Sequence, residues 1–444
     1  MMAAQTGSVE RLVGAYHAWA KNGASRAPAW LKDLRDGGIA RFGALGFPTM
    51  KQEAWRFTSV AAIAETAFEL AHPASRIPHP AQIEPFLLGD AAPHRLVFVN
   101  GFFSPELSSV AGFPAGVRVE SLAQALVASP DLVRPHLCKY AAFQDRPFAA
   151  LNTAFVRDGA FVHVPAKSAV QEPIQLLFLA APAQDGDKRV VAHPRNLVVI
   201  EREARATVVE TYASLEQNTY WTNAVTEIVV GDGARVDYHR VQRESGRACH
   251  VAATETHQGR DSTVNLHAVA FGGALSRHDL RSVMAGPGGT LILNGLYLLA
   301  GEQHADHHTT IEHAAPHCAS HEYFNGVLDG RSRGVFTGRI IVRPGAQKTD
   351  SKQTNNNLLL SADAHADSQP QLEIYADDVK CTHGSTVGPL DPRALFYLRS
   401  RGLGEREARR LLTYGFGAEI LGRMEIAPLR AQLDRIVRGR LAET

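Results

Sequence analysis

The most constraining feature of this 444-residue sequence is a long succession of short β-type runs that no helical pattern interrupts. From about residue 160 onward, segments rich in Val, Ile, Thr and Tyr alternate with turns of Gly, Asp and Asn. The runs are FVHVP, IQLLFLA, NLVVIE, ATVVETYA, AVTEIVV, RVDYHRVQ, TVNLHAVAF, TLILNGLYLL and GVFTGRIIV. Many strands without intervening helices predict a β-sandwich, a barrel or a β-solenoid.

A loose internal period favours the solenoid among these architectures. Turn-then-strand segments begin near Ala204, Ala234, Ser262 and Gly289. The steps of about 30, 28 and 27 residues fit one coil of a solenoid better than a hairpin. The side chains expected to stack in register along one inner face are Val208, Val236, Val264 and Leu291. A sandwich remains the alternative interpretation of the strands alone.

Both ends of the chain are predicted to be helical. Apolar residues recur at helical spacing over the first roughly 70 residues, including the segment MKQEAWRFTSVAAIAETAF (50–68). Asp391-Pro392 is typical of an N-cap followed by a first-turn proline, and Gly402 predicts the end of that helix. We therefore divide the chain into an N-terminal helical and mixed domain (1–150), a β core (151–388) and a C-terminal helical domain (389–444).

Two shorter patterns lie within the first of these domains. RLVFVNGFF (95–103) is a β-rich run that Asn100-Gly101 interrupts, and this dipeptide predicts a turn. The His- and Pro-rich stretch AHPASRIPHPAQ (71–82) is predicted to be a linker.

Composition and motifs argue against several classes of function. The 46 Lys+Arg nearly cancel the 45 Asp+Glu, so nothing in the bulk charge favours a nucleic-acid or membrane partner. No apolar stretch approaches the roughly 20 residues that span a bilayer, and no P-loop motif occurs. The 4 cysteines are far apart and form no Cys-x-x-Cys pair. We expect a cytoplasmic protein without a disulfide framework.

The densest cluster of polar residues is GEQHADHHTTIEHAAPHCASHEYF (301–324). Its histidines include three at the i, i+4 spacing of zinc ligands on a helix, although Pro316 argues against a helix there. Two interpretations stay open: hydrogen-bonded imidazoles on a surface of strands and turns, or the metal site of a stand-alone metal-binding enzyme using the cluster from His304 to His321. The candidate ligands and helpers for that alternative are His308, His313, His317, His321, Glu312 and Cys318.

Cys381 and His383 form a second candidate site, because residues two apart in an extended segment point to the same face. A thiolate and an imidazole together suit iron or zinc. One chain that supplies two ligands leaves positions for a partner chain, a cluster or water. The alternatives are a buried structural cysteine beside a histidine that satisfies a turn, and a nucleophilic pair, which needs an orienting Asn or Asp from elsewhere.

The segment ADDVKCTHGSTVGPLDPRALFYLRSRGL (376–403) closely resembles the C-terminal signature of the SufB/SufD family of the SUF iron–sulfur cluster assembly system. Other segments that resemble this family are TGRIIVRPGAQKTDSKQTNNNLLLS (337–361), HHTTIEHAAPHCASHEYFNGVL (307–328), EAWRFTS (53–59), VFVNGFFS (97–104) and FAALNTAF (148–155). The resemblance therefore covers most of the chain. Gly384 favours the SufD branch, because SufB-type sequences usually carry Glu at this position.

The resemblance implies a mainly β fold, a right-handed parallel β-helix core with helical domains at both ends. It implies a non-catalytic scaffold that pairs with SufB through the β-helices, docks the SufC ATPase through the C-terminal helices, and forms a homodimer when alone. The complex would support iron entry and nascent cluster formation at the subunit interface.

The resemblance also assigns residues and cofactors. It implies a cluster-ligand role for His383 and, less directly, for Cys381, at the interface with SufB. The isolated chain is expected to bind no cofactor tightly; iron or an iron–sulfur cluster would be transient, and a reduced flavin is associated with the assembled complex without a residue that places it. The candidate partner-interface residues are Asp391, Phe396, Tyr397, Arg399, Arg401 and Phe416.

Overall fold

The computed structural model describes residues 2–22, 27–74, 77–110, 112–182 and 189–443. Its helices are α1 (Met2–Asn22), α2 (Ala29–Leu45), α3 (Ala61–Ala64), α4 (Pro80–Ile83), α5 (Leu122–Ala128), α6 (Pro130–Val133), α7 (Pro147–Ala154), α8 (Pro392–Ser400), α9 (Glu405–Leu421) and α10 (Ala427–Glu443). The strands are β1 (Glu69–Leu70), β2 (His94–Val99), β3 (Phe102–Phe103), β4 (Arg118–Ser121), β5 (Ala160–Val164), β6 (Ile174–Ala180), β7 (Val190–Ala192), β8 (Arg195–Ile200), β9 (Arg205–Ser214), β10 (Trp221–Val230), β11 (Arg235–Arg243), β12 (Cys249–Gln258), β13 (Thr263–Ala270), β14 (Leu275–Met284), β15 (Thr290–Leu299), β16 (His304–His313), β17 (Ala319–Leu328), β18 (Arg333–Val342), β19 (Asp350–Leu359), β20 (His365–Ile374) and β21 (Lys380–Gly388).

The long strands alternate between two facing sheets, so that each coil of the chain contributes one strand to each sheet. Sheet A has the order β20-β18-β16-β14-β12-β10-β8-β5-β4, and sheet B has the order β21-β19-β17-β15-β13-β11-β9-β6-β2-β3. The stacked strands pair in parallel, whereas β3 and β4 pair antiparallel at the N-terminal end. The fold is a parallel β-solenoid with helices before and after it, which confirms the predicted fold class over the sandwich.

The predicted period is confirmed, because β9, β11, β13 and β15 each begin within one residue of the expected coil start. One predicted rung of the inner stack is wrong. Val236, Val264 and Leu291 are register partners, but Val236 pairs with Ala206, and Val208 pairs with Tyr238. Register partners in β9 and β11 are two residues further apart in the chain than register partners in β11 and β13. Because side chains alternate with a period of two, Val208 still points inward.

The solenoid interior fits aromatic rings against glycines in neighbouring coils. Gly295 is the register partner of Phe324, and a Cβ added at Gly295 would lie 2.0 Å from Cε1 of that ring. Tyr297 is likewise the partner of Gly326, where an added Cβ would lie 2.1 Å from the tyrosine Cε2. Each ring therefore occupies the space that the glycine leaves open.

Gly295→Ala is expected to lower the free energy of unfolding by about 1–3 kcal/mol, because a methyl group would overpack a closed core. Urea denaturation followed by circular dichroism would measure the loss. Gly415→Ala is the matched control, since an added Cβ there meets nothing within 4 Å in α9; this change is expected to be neutral or to stabilise by up to about 1 kcal/mol. Equal losses from the two substitutions would contradict the packing argument.

The N-terminal helices pack on the outer face of sheet A. Apolar residues of α1, α2 and α7 form one buried cluster with Trp221, Val251 and Leu275. The helix predicted over residues 50–68 is wrong for most of its length: only a 3-10 turn (Glu53–Trp55) and α3 are helical. The physical reason is contact with the solenoid, since Thr58 Oγ1 donates to Asp306 Oδ2 at 2.5 Å.

The Asn100-Gly101 turn is confirmed as the connection of the β2–β3 hairpin, with φ of 52° and 82° at the two residues. The predicted linker at 71–82 includes residues 75 and 76, which lie outside the described residues, and its end forms the start of α4.

The C-terminal helices behave as predicted. Asp391 caps α8 by accepting the backbone N–H of Arg393 at 2.8 Å, and Gly402 has φ of 94° beyond the helix end. Helices α9 and α10 bury Ile420, Leu433 and other apolar residues against the outer face of sheet B. Among the helices of the described ranges, none is long and apolar enough to cross a membrane. The domain divisions after residues 150 and 388 stay predictions.

A candidate site at the uncovered last coil

The last coil, β20 with β21, is the uncovered end of the solenoid. Within the described ranges, β20 pairs along its length only with β18, and β21 only with β19. The inward-facing residues of β19 from 351 to 357 are at most 4 % exposed, whereas β21 is exposed along most of its length. The unpaired strand edges and the exposed interior together form a surface suited to strand addition by another chain.

Cys381 and His383 face the interior at this open end. The fully buried inward side chains of β19 are Ser351, Gln353, Asn355 and Asn357. Their register partners in β21 are Cys381, His383, Ser385 and Val387. Partners in parallel, in-register strands share a face, and Ser385 Oγ donates to Ser368 Oγ of β20 at 2.8 Å across the interior. The spacing argument therefore gives the right orientation for the pair.

The two candidate ligands differ in accessibility. Cys381 is half-buried and packs against the apolar core of the solenoid. Burial, followed by the negative charge of Asp350, raises the pKa of the Cys381 thiol. His383 is exposed. At neutral pH the cysteine therefore retains its proton, and the imidazole of His383 is the more accessible donor.

A polar layer lies directly behind the last coil, and sequence reasoning missed it. Ser320 Oγ lies 2.8 Å from Ser351 Oγ, and His313 Nε2 lies 2.8 Å from the same Ser320 oxygen. Gln353 Nε2 donates to Glu322 Oε2 at 2.6 Å. The signal was available in SKQTNNN (351–357), where each alternate, inward residue is polar. Buried polar side chains such as Glu210 and His250 also occur among the apolar residues of the middle coils, but in β19 the inward positions from 351 to 357 are all polar.

Burial dominates the electrostatics of Glu322. It raises the pKa of this carboxyl to about 7, although the nearby Thr309 hydroxyl and the hydrogen bond from Gln353 act in the opposite direction. The layer behind the last coil therefore contains a carboxyl group that titrates near neutral pH.

The candidate histidine cluster is not brought together. His308 lies on the outer face of β16, 3.3 Å from Asp306 Oδ1. His313 points into the interior, and His317 occupies a turn with φ of 61°. His321 is exposed on the outer side of β17. In the part of the chain that the structure describes, no group of three or more His, Cys, Asp or Glu side chains is placed to hold a metal ion.

The six candidate interface residues fall into two groups. Phe396 and Tyr397 are 75 % and 57 % exposed on α8, a helix that buries none of its residues. The guanidinium of Arg401 lies over the Tyr397 ring at 5.3 Å, and Arg399 Nη1 lies 3.5 Å from Glu405 Oε2. Asp391 serves as the helix cap.

Phe416 differs from these residues. Its side chain packs against the apolar cluster beneath α9, and its carbonyl accepts from Asn325 Nδ2 at 2.9 Å. It is therefore positioned as a contact between α9 and the solenoid.

One groove in the described part of the chain is large enough to be considered for the reduced flavin that the resemblance implies. A groove of about 550 Å³ lies on the outer face of sheet A. Its lining arginines, each paired with a carboxylate, are Arg146, Arg277, Arg281, Arg339 and Arg343. Each of these cations already contacts a carboxylate, with Glu312 shared by Arg281 and Arg343, so the groove shows no arginine reserved for a flavin phosphate. The flavin stays an expectation for the assembled complex.

The fold and the site define a class: a parallel β-solenoid between helical ends, with a Cys-x-His pair in an uncovered last coil. Residues 182–416 match the family described as SUF system FeS cluster assembly, SufBD core domain. Residues 8–176 match the SufBD protein N-terminal region. The chain therefore belongs to the SufB/SufD family of iron–sulfur cluster assembly proteins of the SUF system.

Similar curated proteins agree with this assignment. An iron–sulfur cluster assembly SufBD family protein of Synechocystis sp. is 36% identical over 418 residues, which cover 92% of this chain and 90% of the relative. The SufD proteins of Escherichia coli and Bacillus subtilis are 31% identical over 421 residues and 30% identical over 327 residues. These alignments cover 94% of both chains for E. coli, and 72% of this chain and 73% of the relative for B. subtilis. The chain is a SufD-like member of its family.

Proposed function

We propose that this chain is the non-catalytic SufD-type scaffold of a cytoplasmic SUF complex, paired with SufB and the SufC ATPase, in which iron enters and a nascent cluster forms at the SufB interface. The observation that carries the proposal is the uncovered last coil, where Cys381 and His383 face the open interior. The cluster is cargo, so the chain needs no resident cofactor of its own.

Pairing through the last coil is supported by its exposed edges and apolar side chains. Val387 is 48 % exposed, and Ile374 and Tyr375 are also exposed at the end of β20. A chain that ends in the same kind of coil would bury these residues and continue the two sheets across the interface. SufB, as the other member of the family, is the partner that we propose. A second copy of this chain would occupy the same surface in its absence.

The ligand role falls to His383 because its ring is exposed at this end and a neutral imidazole binds iron. Cys381 is the weaker candidate, since its thiol must first lose a proton that burial and Asp350 help to retain. Thiolates from the partner would complete the coordination, and the open positions would keep the cluster transferable.

Docking of SufC is assigned to α8 and the adjacent surface of α9. Phe396 is the most exposed aromatic residue of α8, and Leu411 of α9 is 48 % exposed. Large exposed apolar side chains on neighbouring helices are typical of a protein-binding surface.

Substitution of His383 tests the proposal in a complex co-expressed with SufB and SufC. His383→Ala is expected to lower the amount of iron–sulfur cluster by about ten-fold or more while the complex still assembles. Absorption spectroscopy with iron and sulfide analysis would measure the cluster, and size-exclusion chromatography would measure assembly.

The matched control is His365→Ala, which removes an exposed histidine from the outer face of the same coil. It is expected to leave the cluster yield unchanged. An assembled His383→Ala complex with a wild-type cluster yield would remove the ligand role and leave a purely structural partner.

A further inference from the structure

Glu322, Gln353 and His383 form a column through the last three coils of sheet B. Glu322 is the register partner of Gln353, and Gln353 is the register partner of His383. All three occupy inward positions, on neighbouring strands about 4.8 Å apart. The column joins the buried polar layer to the exposed imidazole at the open end.

The amide of Gln353 is fixed in orientation with its oxygen unused. Gln353 is 1 % exposed, and its Nε2 donates to Glu322 Oε2 at 2.6 Å. Its Oε1 is buried without a hydrogen-bond partner. Because a buried amide oxygen without a partner is costly, this atom is an acceptor that awaits a donor.

The opposite sheet makes room for this amide. Gly338 of β18 lies across the interior, and a Cβ added there would meet Gln353 Nε2 at 2.2 Å and Oε1 at 2.9 Å. Any side chain at residue 338 would therefore push the amide out of its place. The hydrogen bond to Glu322 and the space at Gly338 together fix the Gln353 amide. Its Oε1 is left as a free acceptor on the strand next to His383.

We propose that Gln353 is a positioning residue for His383: its Oε1 accepts the N–H of the imidazole when the ring turns over the interior. An imidazole that donates from one nitrogen presents the other as a lone-pair donor. Gln353 thereby selects the tautomer of His383 and directs the free nitrogen toward the partner. The consequence for cluster binding rests on the proposed function, whereas the selection of the tautomer does not.

The test is nuclear magnetic resonance of the full chain alone, with histidines labelled with ¹³C and ¹⁵N. In the wild type, one neutral tautomer of His383 is expected to dominate. In Gln353→Leu the ratio of the tautomers is expected to change at least three-fold toward that of free histidine. Asn355→Leu is the matched control, because it removes another buried amide of the same strand, and it is expected to leave the ratio unchanged. An unchanged ratio in Gln353→Leu would overturn the proposal.

A double substitution keeps the test decisive if Gln353→Leu does not fold. Glu322→Gln/Gln353→Glu exchanges donor and acceptor within the pair but retains an acceptor beside His383. This variant is expected to keep the wild-type tautomer, and a ratio like that of free histidine would count against Gln353 as the acceptor.

The complex with SufB and SufC separates this inference from the proposed function. Gln353→Leu is expected to lower cluster yield there by about ten-fold, with rescue by the exchanged pair. If the tautomer follows Gln353 while His383→Ala leaves the cluster intact, the proposed ligand role fails and the positioning role stands.

Discussion

Replacing Glu227 with leucine is expected to lower the free energy of unfolding by about 3–5 kcal/mol, because the change leaves a buried guanidinium without its partner. Glu227 Oε2 accepts from Arg195 Nη2 at 2.6 Å, and both side chains are fully buried. The same carboxylate accepts the backbone N–H groups of Cys138, Tyr140 and Ala141 at 2.8, 2.8 and 2.9 Å. The carboxylate therefore binds the irregular segment 138–141 to the outer face of sheet A. Chemical denaturation of the isolated chain would measure the loss.

The control for this prediction replaces both members of the ion pair. Arg195→Met/Glu227→Leu removes the two charges together, so no unpaired charge stays buried. The double variant is expected to lose less stability than Glu227→Leu alone, although the three backbone donors lose their acceptor in both. A double variant that is less stable than the single one would contradict the assignment of the cost to the unpaired arginine.

The second large effect is a dependence of stability on pH that arises from Glu322. Burial raises the pKa of this carboxyl from 4.5 to about 7 in the folded chain. The unfolded chain releases this proton at lower pH than the folded chain. The contribution of Glu322 to stability is therefore fully present below about pH 4.5 and is lost as the pH rises through about 7. The shift corresponds to a loss of about 3 kcal/mol across this range.

Glu322→Gln isolates this contribution, because an amide of the same shape cannot titrate. The wild type is expected to lose about 3 kcal/mol relative to the variant between pH 4.5 and pH 7.5, measured by urea denaturation at each pH. Glu302→Gln, at an exposed glutamate paired with Arg331, is expected to follow the wild-type profile. A constant difference between wild type and Glu322→Gln over this range would rule out titration of Glu322 there.

The architecture could be predicted from the sequence because every coil is built from the same elements. Each coil needs a turn and two strands, so the starts of β9, β11, β13 and β15 follow from the spacing of turn residues. The register partner of Val208 could not be predicted, because the chain between β9 and β11 contains two more residues per coil than the chain between β11 and β13. The helix predicted over 50–68 does not form over most of its length, because apolar residues such as Trp55 and Val60 pack in the cluster that contains Trp221 of the solenoid.

The site could be predicted only in part. The spacing of Cys381 and His383 predicts that the two side chains share a face. It does not predict that their coil is the last of the solenoid, or that the thiol is partly buried. The roles of both residues stay predictions. The Glu322–Gln353 pair was invisible because its members are 31 residues apart in the chain, and only register brings them together.

The two ends of the solenoid are unequal, and this asymmetry limits the growth of an assembly. At the N-terminal end, the antiparallel strands β3 and β4 follow the outermost parallel strands. At the other end, β20 and β21 leave their edges free. Because each chain offers one such end, two chains joined through it have used their matching surfaces and leave no identical site for a third. The pairing that we propose through the last coil would therefore give a closed pair and not a fibre.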